Sequence, residues 1–371
     1  MYFAQERLFR RETLGILALG PEKYIRMASV ILIFATAIIA IFLGRSKYKF
    51  SVYFAYFAIL ITVILNFIVS GGDFLDMTHV MDSKGIGTWI TLALIFVSYN
   101  SSRFKLLEVF LLIAIFYISL LTIYNFIDFG VGGWRGQALN KYRVYATTMV
   151  WIVPYYYLIT KPNPKLKWLR VYALFFGLIL ALITQTRSFL IIYFLTIMFD
   201  FFNTKNRLSY SIFLFAGGIA FLLIVLNTEI FSNSLELLIN RGTHDTRSEQ
   251  LGVFLSQLNP IKLITGSGFF ASYRYGYQQW TAVDNQWLLL LWWAGIIPVI
   301  AYFYLTAVIP LKMALFYRLD YETKVECFIL ILWVLGLTGL AIFTTMTIDL
   351  FFFIICILLG RVLYKFSNLC V

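Results

Sequence analysis

The chain has 371 residues, of which 61% are hydrophobic and only 13% charged, and its mean hydropathy is +0.83. Nothing soluble is this apolar throughout, so composition excludes a soluble globular domain and predicts an all-α polytopic membrane protein, a single integral membrane domain over residues 1–371. The net charge of +12 does not point to nucleic acid, because the basic residues are scattered through short segments between apolar runs, where they encode orientation in a bilayer.

In chain order, residues 1–26 mix Arg7, Arg10, Arg11, Lys23 and Arg26 with Tyr2, Phe3, Leu8, Phe9, Leu14, Ile16 and Leu17. That mixture suits a segment lying at the membrane interface. Its apolar run Leu14–Leu19 is short and interrupted, so a cleavable signal peptide is not expected. Apolar runs follow at 27–43, 51–70, 88–99, 107–127, 144–160, 171–184, 188–202, 209–226, 287–310, 325–343 and 350–366. Most approach the roughly 20 residues that cross a bilayer, which predicts about 11 spans (10–12), with 88–99 the shortest. Cys327 and Cys356 lie in apolar runs and Cys370 near the C-terminal end, without CxxC spacing and with only two histidines in the chain. Neither a disulfide framework nor a protein-built metal site is expected.

The segments between runs divide by charge. Residues 44–50, 100–108, 161–170, 203–208, 312–324 and 361–371 carry 16 Lys/Arg in 56 residues, whereas 71–87, 128–143, 185–187, 227–286 and 344–349 carry 9 in 102. The positive-inside rule makes the first set cytoplasmic and turns the long polar segment 227–286 outward. Eleven spans with a cytoplasmic C-terminus would leave the basic N-terminus outside. Either one run is re-entrant or half-length, or the N-terminal segment lies on the outer surface.

Residues 171–202 form one apolar stretch broken only by Thr184-Gln185-Thr186-Arg187-Ser188. A single helix of that length would run to about 48 Å, against a hydrocarbon core of roughly 30 Å, so two spans with a tight outward turn are predicted. Arg187 then stands near the outer face, where it either holds an anionic ligand, snorkels to headgroups or pairs with a carboxylate such as Asp128.

The long outward segment carries Arg241, His244, Asp245, Arg247, Glu249, Arg274 and Asp284. Thr246-Arg247-Ser248-Glu249 reads as a capping box with Thr246 as N-cap, followed by Leu251, Phe254, Leu255 and Leu258 at helical spacing. Asn259-Pro260 is expected to end that helix. Arg247 falls at its first position, where the helix dipole disfavours a cation unless an anion is also present. An arginine fork beside free helical N–H groups suits a phosphate or diphosphate; pairing with Asp245, Glu249 or a headgroup is the alternative. Tyr273, Tyr275, Tyr277 and Trp280 offer flat faces for sugar rings, or gather at the membrane interface as aromatics do. Gly71-Gly72-Asp73 with Asp76, His79 and Asp82, and the segment 130–143 with Trp134, Arg135, Lys141 and Arg143, read either as sugar-binding walls or as solvated turns.

The order Thr-Gln-Thr-Arg187-Ser between two runs, a long outer segment with Arg241 and Arg247, Gly266-Ser267-Gly268, then Asp284-Asn285 before Gln-Trp-Leu-Leu-Leu-Leu and Ala294-Gly295-Ile296 resembles the O-antigen polymerase and O-antigen ligase superfamily of bacterial envelope glycosyltransferases. The likeness covers roughly residues 140–305 at motif level, and the polymerase branch fits best. It implies a fold similar to the C-type glycosyltransferases, with the long outer loop capping a cavity between helices. It further implies a polysaccharide polymerase of O-antigen, capsule or exopolysaccharide in the bacterial cytoplasmic membrane, with its active site on the extracytoplasmic side. Such an enzyme transfers glycan from undecaprenyl diphosphate to a lipid-linked repeat unit. No metal or cofactor is implied. The partners would be the undecaprenyl-diphosphate-linked oligosaccharide, membrane lipid, and a chain-length regulator and a flippase.

Residue by residue, the resemblance assigns Arg187, Arg241 and Arg247 to the diphosphate, whose charge they would stabilise as it leaves. Asp284 is the candidate general base, with His244 as a second candidate. Arg135, Arg274, Tyr277, Trp280 and Asn285 are candidates for contact with the glycan. The ligase branch has histidine before the asparagine where this chain has Asp284, which places the ligase second. A flippase or other transporter is the reading from another class, against which stand the gathering of charge on one face and the lack of a repeated half.

Overall fold

The computed structural model describes residues 32, 35–36, 38–42, 47–73, 86–98, 104–129, 137–184, 187–204, 246–275, 278–280, 285–338 and 350–368. The elements, in chain order, begin with α1 (Phe50–Val69), α2 (Ile86–Thr91) continued by a 3-10 segment (Leu92–Val97), α3 (Phe104–Phe129), α4 (Gln137–Ile159), α5 (Lys167–Ile183) and α6 (Arg187–Phe202). They continue with α7 (Thr246–Ser256), α8 (Pro260–Thr265), strands β1 (Tyr273–Tyr275) and β2 (Gln278–Trp280), α9 (Gln286–Ala294), α10 (Ile296–Phe303), a π-helical turn (Tyr304–Val308), α11 (Ile309–Phe316), α12 (Tyr321–Gly336) and α13 (Leu350–Asn368). The protein is mostly helical, and among the described residues an antiparallel two-stranded hairpin is added to the all-α expectation.

Four helical stretches among the described residues are long and apolar enough to cross a membrane: Phe50–Val69, Leu106–Ile127, Pro164–Ile183 and Ile296–Phe316. Two show on their surface why they need hydrocarbon around them. On α1, Val52, Ala55, Tyr56, Ile59, Val63 and Phe67 are buried, while Phe50, Phe54, Phe57, Ile61, Leu65 and Ile68 are exposed. Both sets follow helical spacing, so the helix carries an apolar stripe on its open side as well as its packed one. The same division runs along α3, where Leu111, Ile115 and Ile118 are buried and Leu106, Val109, Ile113, Leu120 and Ile127 exposed. Apolar stripes of this length are stable against lipid, not water.

Contacts divide the chain into two units, residues 1–101 with 246–371, and residues 102–245. In the first, the 3-10 segment after α2 is enclosed: Leu92, Ala93, Leu94, Ile95 and Phe96 are all buried against α13 and its surroundings. Phe96 stacks on Tyr53 at 4.6 Å, the Tyr48 hydroxyl donates to the Ile95 carbonyl at 2.6 Å, and a side chain at Gly360 would collide with that same carbonyl. The short run at 88–99 is therefore internal, and α2 with its 3-10 extension reaches only about 21 Å. Farther along the unit, Tyr302 receives the Trp333 Nε1–H at 3.1 Å and meets the Trp89 ring at 5.5 Å. Arg361, almost fully buried, bonds both Glu322 and Glu326, and Lys365 bonds Thr323. A buried arginine between two carboxylates fixes α12 against α13 more by specificity than by net energy.

In the second unit α4 packs against α3, α5 and α6. α5 ends at Ile183 and α6 begins at Arg187, so the 171–202 stretch is two helices broken at Thr184, as its length demanded. Gly177 on α5 lets the Tyr193 ring of α6 lie directly on its backbone. At the other end of α6, Asp200 is 1% exposed and is held by Lys161, by Arg170 at 3.6 Å and by the Tyr157 hydroxyl at 2.7 Å. Arg170 also lies over the Tyr157 ring at 4.6 Å and donates to the Tyr157 carbonyl at 2.7 Å.

Two expectations are corrected here. The continuous apolar run 287–310 is not one helix: Gly295 breaks it, and α9 folds back beside α10, placing the Trp287 ring 5.7 Å from Tyr302 and 5.6 Å from Phe303. Asn259-Pro260 does not end a helix but starts one. α7 stops at Ser256, and Asn259 caps α8 by accepting from the Lys262 N–H at 2.7 Å, with Pro260 at the position where a missing N–H costs nothing.

Candidate functional site

The 265–271 segment is a strap tied to two helix ends of the first unit. Its Ser267 and Gly268 N–H groups donate to the Trp292 and Trp293 carbonyls at 2.6 and 3.2 Å, closing the free C-terminal end of α9. Phe269 N–H donates to Ser70 Oγ at 2.9 Å, and Asn66 Nδ2 donates to the Thr265 carbonyl at 2.9 Å. Both acceptor and donor belong to the last turn of α1 and its cap. Gly71, at φ 76°, then ends α1, so the Gly-Gly-Asp sequence stops a helix here.

Between the α1 end and the strap lies an open cleft of about 480 Å³, lined by Asn66, Val69, Ser70, Ser267, Phe270 and Ala271, with Thr265, Gly266 and Gly268 completing its wall. Among the described residues, no charged side chain lines it. Asn66 Oδ1 and Ser267 Oγ are shielded from solvent and have no hydrogen-bond partner. Each orphaned group costs about 1–3 kcal/mol, which makes the cleft wall an unusual place to leave two of them.

The hairpin is built from the same surroundings. Arg274 N–H donates to Gln257 Oε1 at 3.1 Å, and Gln257 Nε2 donates back to the Arg274 carbonyl at 2.8 Å, so the end of α7 clamps β1. Tyr273 is 2% exposed and packs with Phe254 and Trp292, and Lys262 stands 5.5 Å over the Trp292 ring. Tyr273 is thus core, not part of a sugar-facing aromatic surface: strand alternation turns it inward and leaves Arg274 exposed on the opposite face.

Of the expected site residues, Asn285 is placed in full. Its Oδ1 accepts from the Trp287 and Leu288 N–H groups at 3.0 and 3.2 Å, capping α9, while the next N–H, of Gln286, donates to the Leu337 carbonyl at 2.9 Å. Its side-chain acceptor is therefore committed to the helix, and a glycan contact would fall to its Nδ2. Arg274 is exposed on β1, and Trp280 pairs with Tyr273 in register. Arg247 is the second residue of α7 and Arg187 the first of α6; they belong to different units. α7 begins at Thr246, one residue earlier than the capping box suggests, within the usual latitude of helix ends. His244, Arg241, Asp284, Arg135 and Tyr277 lie outside the described residues.

Among the described residues no group of three His, Cys, Asp or Glu is placed to hold a metal ion. Asn66, Ser70, Thr265 and Ser267 are the polar residues of the cleft wall that the sequence did not single out as binders. Asn66 had one signal, an amide inside an otherwise apolar run, and Ser267 sits in the Gly-Ser-Gly motif. Compared with family models, with curated proteins and with solved structures, the chain matches none.

Proposed function

We propose that the protein is a membrane glycosyltransferase that polymerises polysaccharide repeat units carried on undecaprenyl diphosphate, at the outer face of a bacterial cytoplasmic membrane. The observation that carries this reading is the interlock of two separate motif segments: Gly266-Ser267-Gly268 bonds to the Trp292 and Trp293 carbonyls, immediately before Ala294-Gly295-Ile296. Residues that the resemblance groups by order alone thus form one structural joint. Arg187, Arg247 and Asn285 each stand at a helix beginning, where backbone N–H groups are available for an anion or for a capping side chain.

In this mechanism the lipid diphosphate is the leaving group, and arginines offset the charge it develops. A carboxylate at Asp284 takes the proton from the attacking sugar hydroxyl. Asp284 directly precedes Asn285, the cap of α9, in sequence.

The test is to incubate the purified full-length protein in liposomes with lipid-linked repeat units and resolve glycan length. A ladder of longer glycans is expected, and Asp284→Asn should slow its growth at least about a hundredfold while the protein still inserts. Transfer of preformed polymer to a lipid acceptor without lengthening would replace the polymerase by the ligase. Movement of the repeat unit across the bilayer without any new glycosidic bond would make the protein a flippase.

A further inference from the structure

At one end of the first unit, three basic segments far apart in the chain come together. The Lys49 N–H donates to Ser367 Oγ at 2.9 Å, which ties the start of α1 to the end of α13. Lys365 Nζ stands 3.5 Å from Asp320, which ties α13 to the residue that opens α12. Residues 44–50, 312–324 and 361–371, to which these side chains belong, carry eight Lys/Arg against two acidic residues, Asp320 and Glu322. Both acids are already engaged: Asp320 accepts from Thr323 and faces Lys365, and Glu322 pairs with the buried Arg361.

Two of the cations meet on one ring. Lys49 Nζ lies 4.7 Å and Lys312 Nζ 5.8 Å from the centroid of Phe366, so the two ammonium groups are on the order of 10 Å apart at most. Phe366 is 6% exposed, and packing on it positions two side chains that would otherwise swing freely. Like charges held this close repel, and an anion shared by both offsets the repulsion. The surroundings of Lys312 specify what carries that anion. Val308, Leu311, Lys312 and Leu315 follow helical spacing and all four are exposed, so the lysine stands in an outward apolar stripe. Phe50 and Phe54, also exposed, continue the apolar surface on α1, which packs against α10 and the π-helical turn.

We infer that the Lys49–Phe366–Lys312 cluster is a binding site for an anionic phospholipid, with the phosphate on the two ammonium groups and the acyl chains along the exposed apolar side chains of α1 and α11. A molecule that is apolar along its length and negative at its head uses both parts of this surface. A free phosphate would use the lysines and leave the apolar stripe without a role. A zwitterionic headgroup would bring an ammonium of its own toward two others. Loop charge assigns this end to the cytoplasmic side, so the lipid belongs to the inner leaflet. The inference does not draw on the polymerase reading, whose site residues are expected at the outer face.

The experiment mixes the full-length protein in a non-ionic detergent with palmitoyl-oleoyl phosphatidylglycerol or with phosphatidylcholine of the same chains, and native mass spectrometry measures the bound lipid. Wild type should retain phosphatidylglycerol at least about fivefold better than phosphatidylcholine. Lys49→Met combined with Lys312→Met keeps side chains on Phe366 and the Lys49 backbone bond to Ser367 while removing both charges, and it should lose that preference. Lys49→Arg combined with Lys312→Arg should keep it, as should Lys165→Met, a change to an exposed lysine of the other unit. If the double Met variant does not fold, Lys312→Met alone decides, since its position is exposed, and it should lower the preference at least about twofold. Excess glycerophosphate, which has the charge without the chains, should not displace the lipid. Equal retention of the two lipids by wild type, or an unchanged preference in the Met variants, overturns the site. Displacement by glycerophosphate overturns the lipid and assigns the lysines to a free anion.

Discussion

Gly266 and Gly295 approach so closely that neither tolerates a side chain. A Cβ on Gly295 would stand 2.9 Å from the Gly266 nitrogen and closer still to the Ile264 carbonyl oxygen, while one on Gly266 would run into the Trp293 carbonyl oxygen. Both residues also have positive φ, 78° and 86°, a region that a side chain disfavours by itself. The joint therefore depends on glycine twice over, for backbone conformation and for contact distance. Gly295→Ala should destabilise the protein by at least about 2 kcal/mol. Gly252→Ala serves as the comparison in the same unit, because nothing lies within 4 Å of its Cβ position and it sits inside α7. That change should be neutral or stabilising by up to about 1 kcal/mol. Thermal unfolding followed by tryptophan fluorescence checks both, and indistinguishable melting of the two variants would show that the joint adjusts to a methyl group.

Asp200 gives the second unit a comparable dependence, through charge. Its carboxylate serves Lys161, Arg170 and the Tyr157 hydroxyl together, so Asp200→Asn puts a neutral amide in place of the one carboxylate two cations share, and leaves them with neutral acceptors such as the Asn203 and Tyr157 carbonyls. Lys161→Met removes only one cation, and Arg170 and Tyr157 still hold the carboxylate. Asp200→Asn should thus cost more, about 2–3 kcal/mol, below the value for a wholly buried pair because Lys161 partly reaches solvent. Proteolysis of the folded protein at graded denaturant concentrations orders the two variants, and a larger loss in Lys161→Met would contradict the arrangement.

The legible part of this fold is the part set by local pattern. The run 51–70 is α1 almost to the residue, because an apolar stretch of about 20 residues bounded by Lys49 and Gly71 has one obvious solution. The break near Thr184 followed from length alone. Gly295 is hard to read for the opposite reason: the hydropathy of 287–310 is unbroken, and the helix stops where Gly295 itself turns to positive φ. Asn259-Pro260 was misread because the same pair can follow one helix and open the next, and only the Asn259 bond to Lys262 decides. Composition leaves Tyr273 open between a sugar-facing and an interfacial aromatic, because it does not reveal which strand face packs on Trp292. The cleft wall joins Asn66 to Ser267, and no spacing rule connects residues so far apart.

Orientation rests on loop charge and is open to direct labelling. Ser272 follows the strap and Asn163 sits in the exposed basic turn before α5, so the two residues probe segments expected on opposite sides. Single cysteines at these positions should differ in intact cells: the one replacing Ser272 is labelled by an impermeant maleimide, and the one replacing Asn163 reacts only after the membrane is opened. Labelling of the Asn163 position in intact cells would invert the orientation and put the proposed site in the wrong compartment.

Arg187 and Arg247 carry the sharpest functional expectation. Each lies in the first turn of a helix, α6 and α7 respectively, where the N-terminal end of the dipole is unfavourable for a cation and favourable for an anion. An arginine kept there is explained if it shares a bound anion with the backbone N–H groups of that turn, and a diphosphate offers oxygens for both. Lysine at either position keeps the charge and loses the planar fork. Arg187→Lys and Arg247→Lys should therefore insert and melt as wild type, yet lengthen lipid-linked glycan at least about tenfold more slowly, the scale expected when one charge-assisted bond worth about 1.5–3 kcal/mol is lost. The loss should appear in the turnover rate at saturating lipid-linked donor, because the charge on the diphosphate grows as the bond breaks. Unchanged turnover in both variants would reduce the two arginines to general positive charge at the membrane surface and leave Arg241 as the residue to test for the diphosphate.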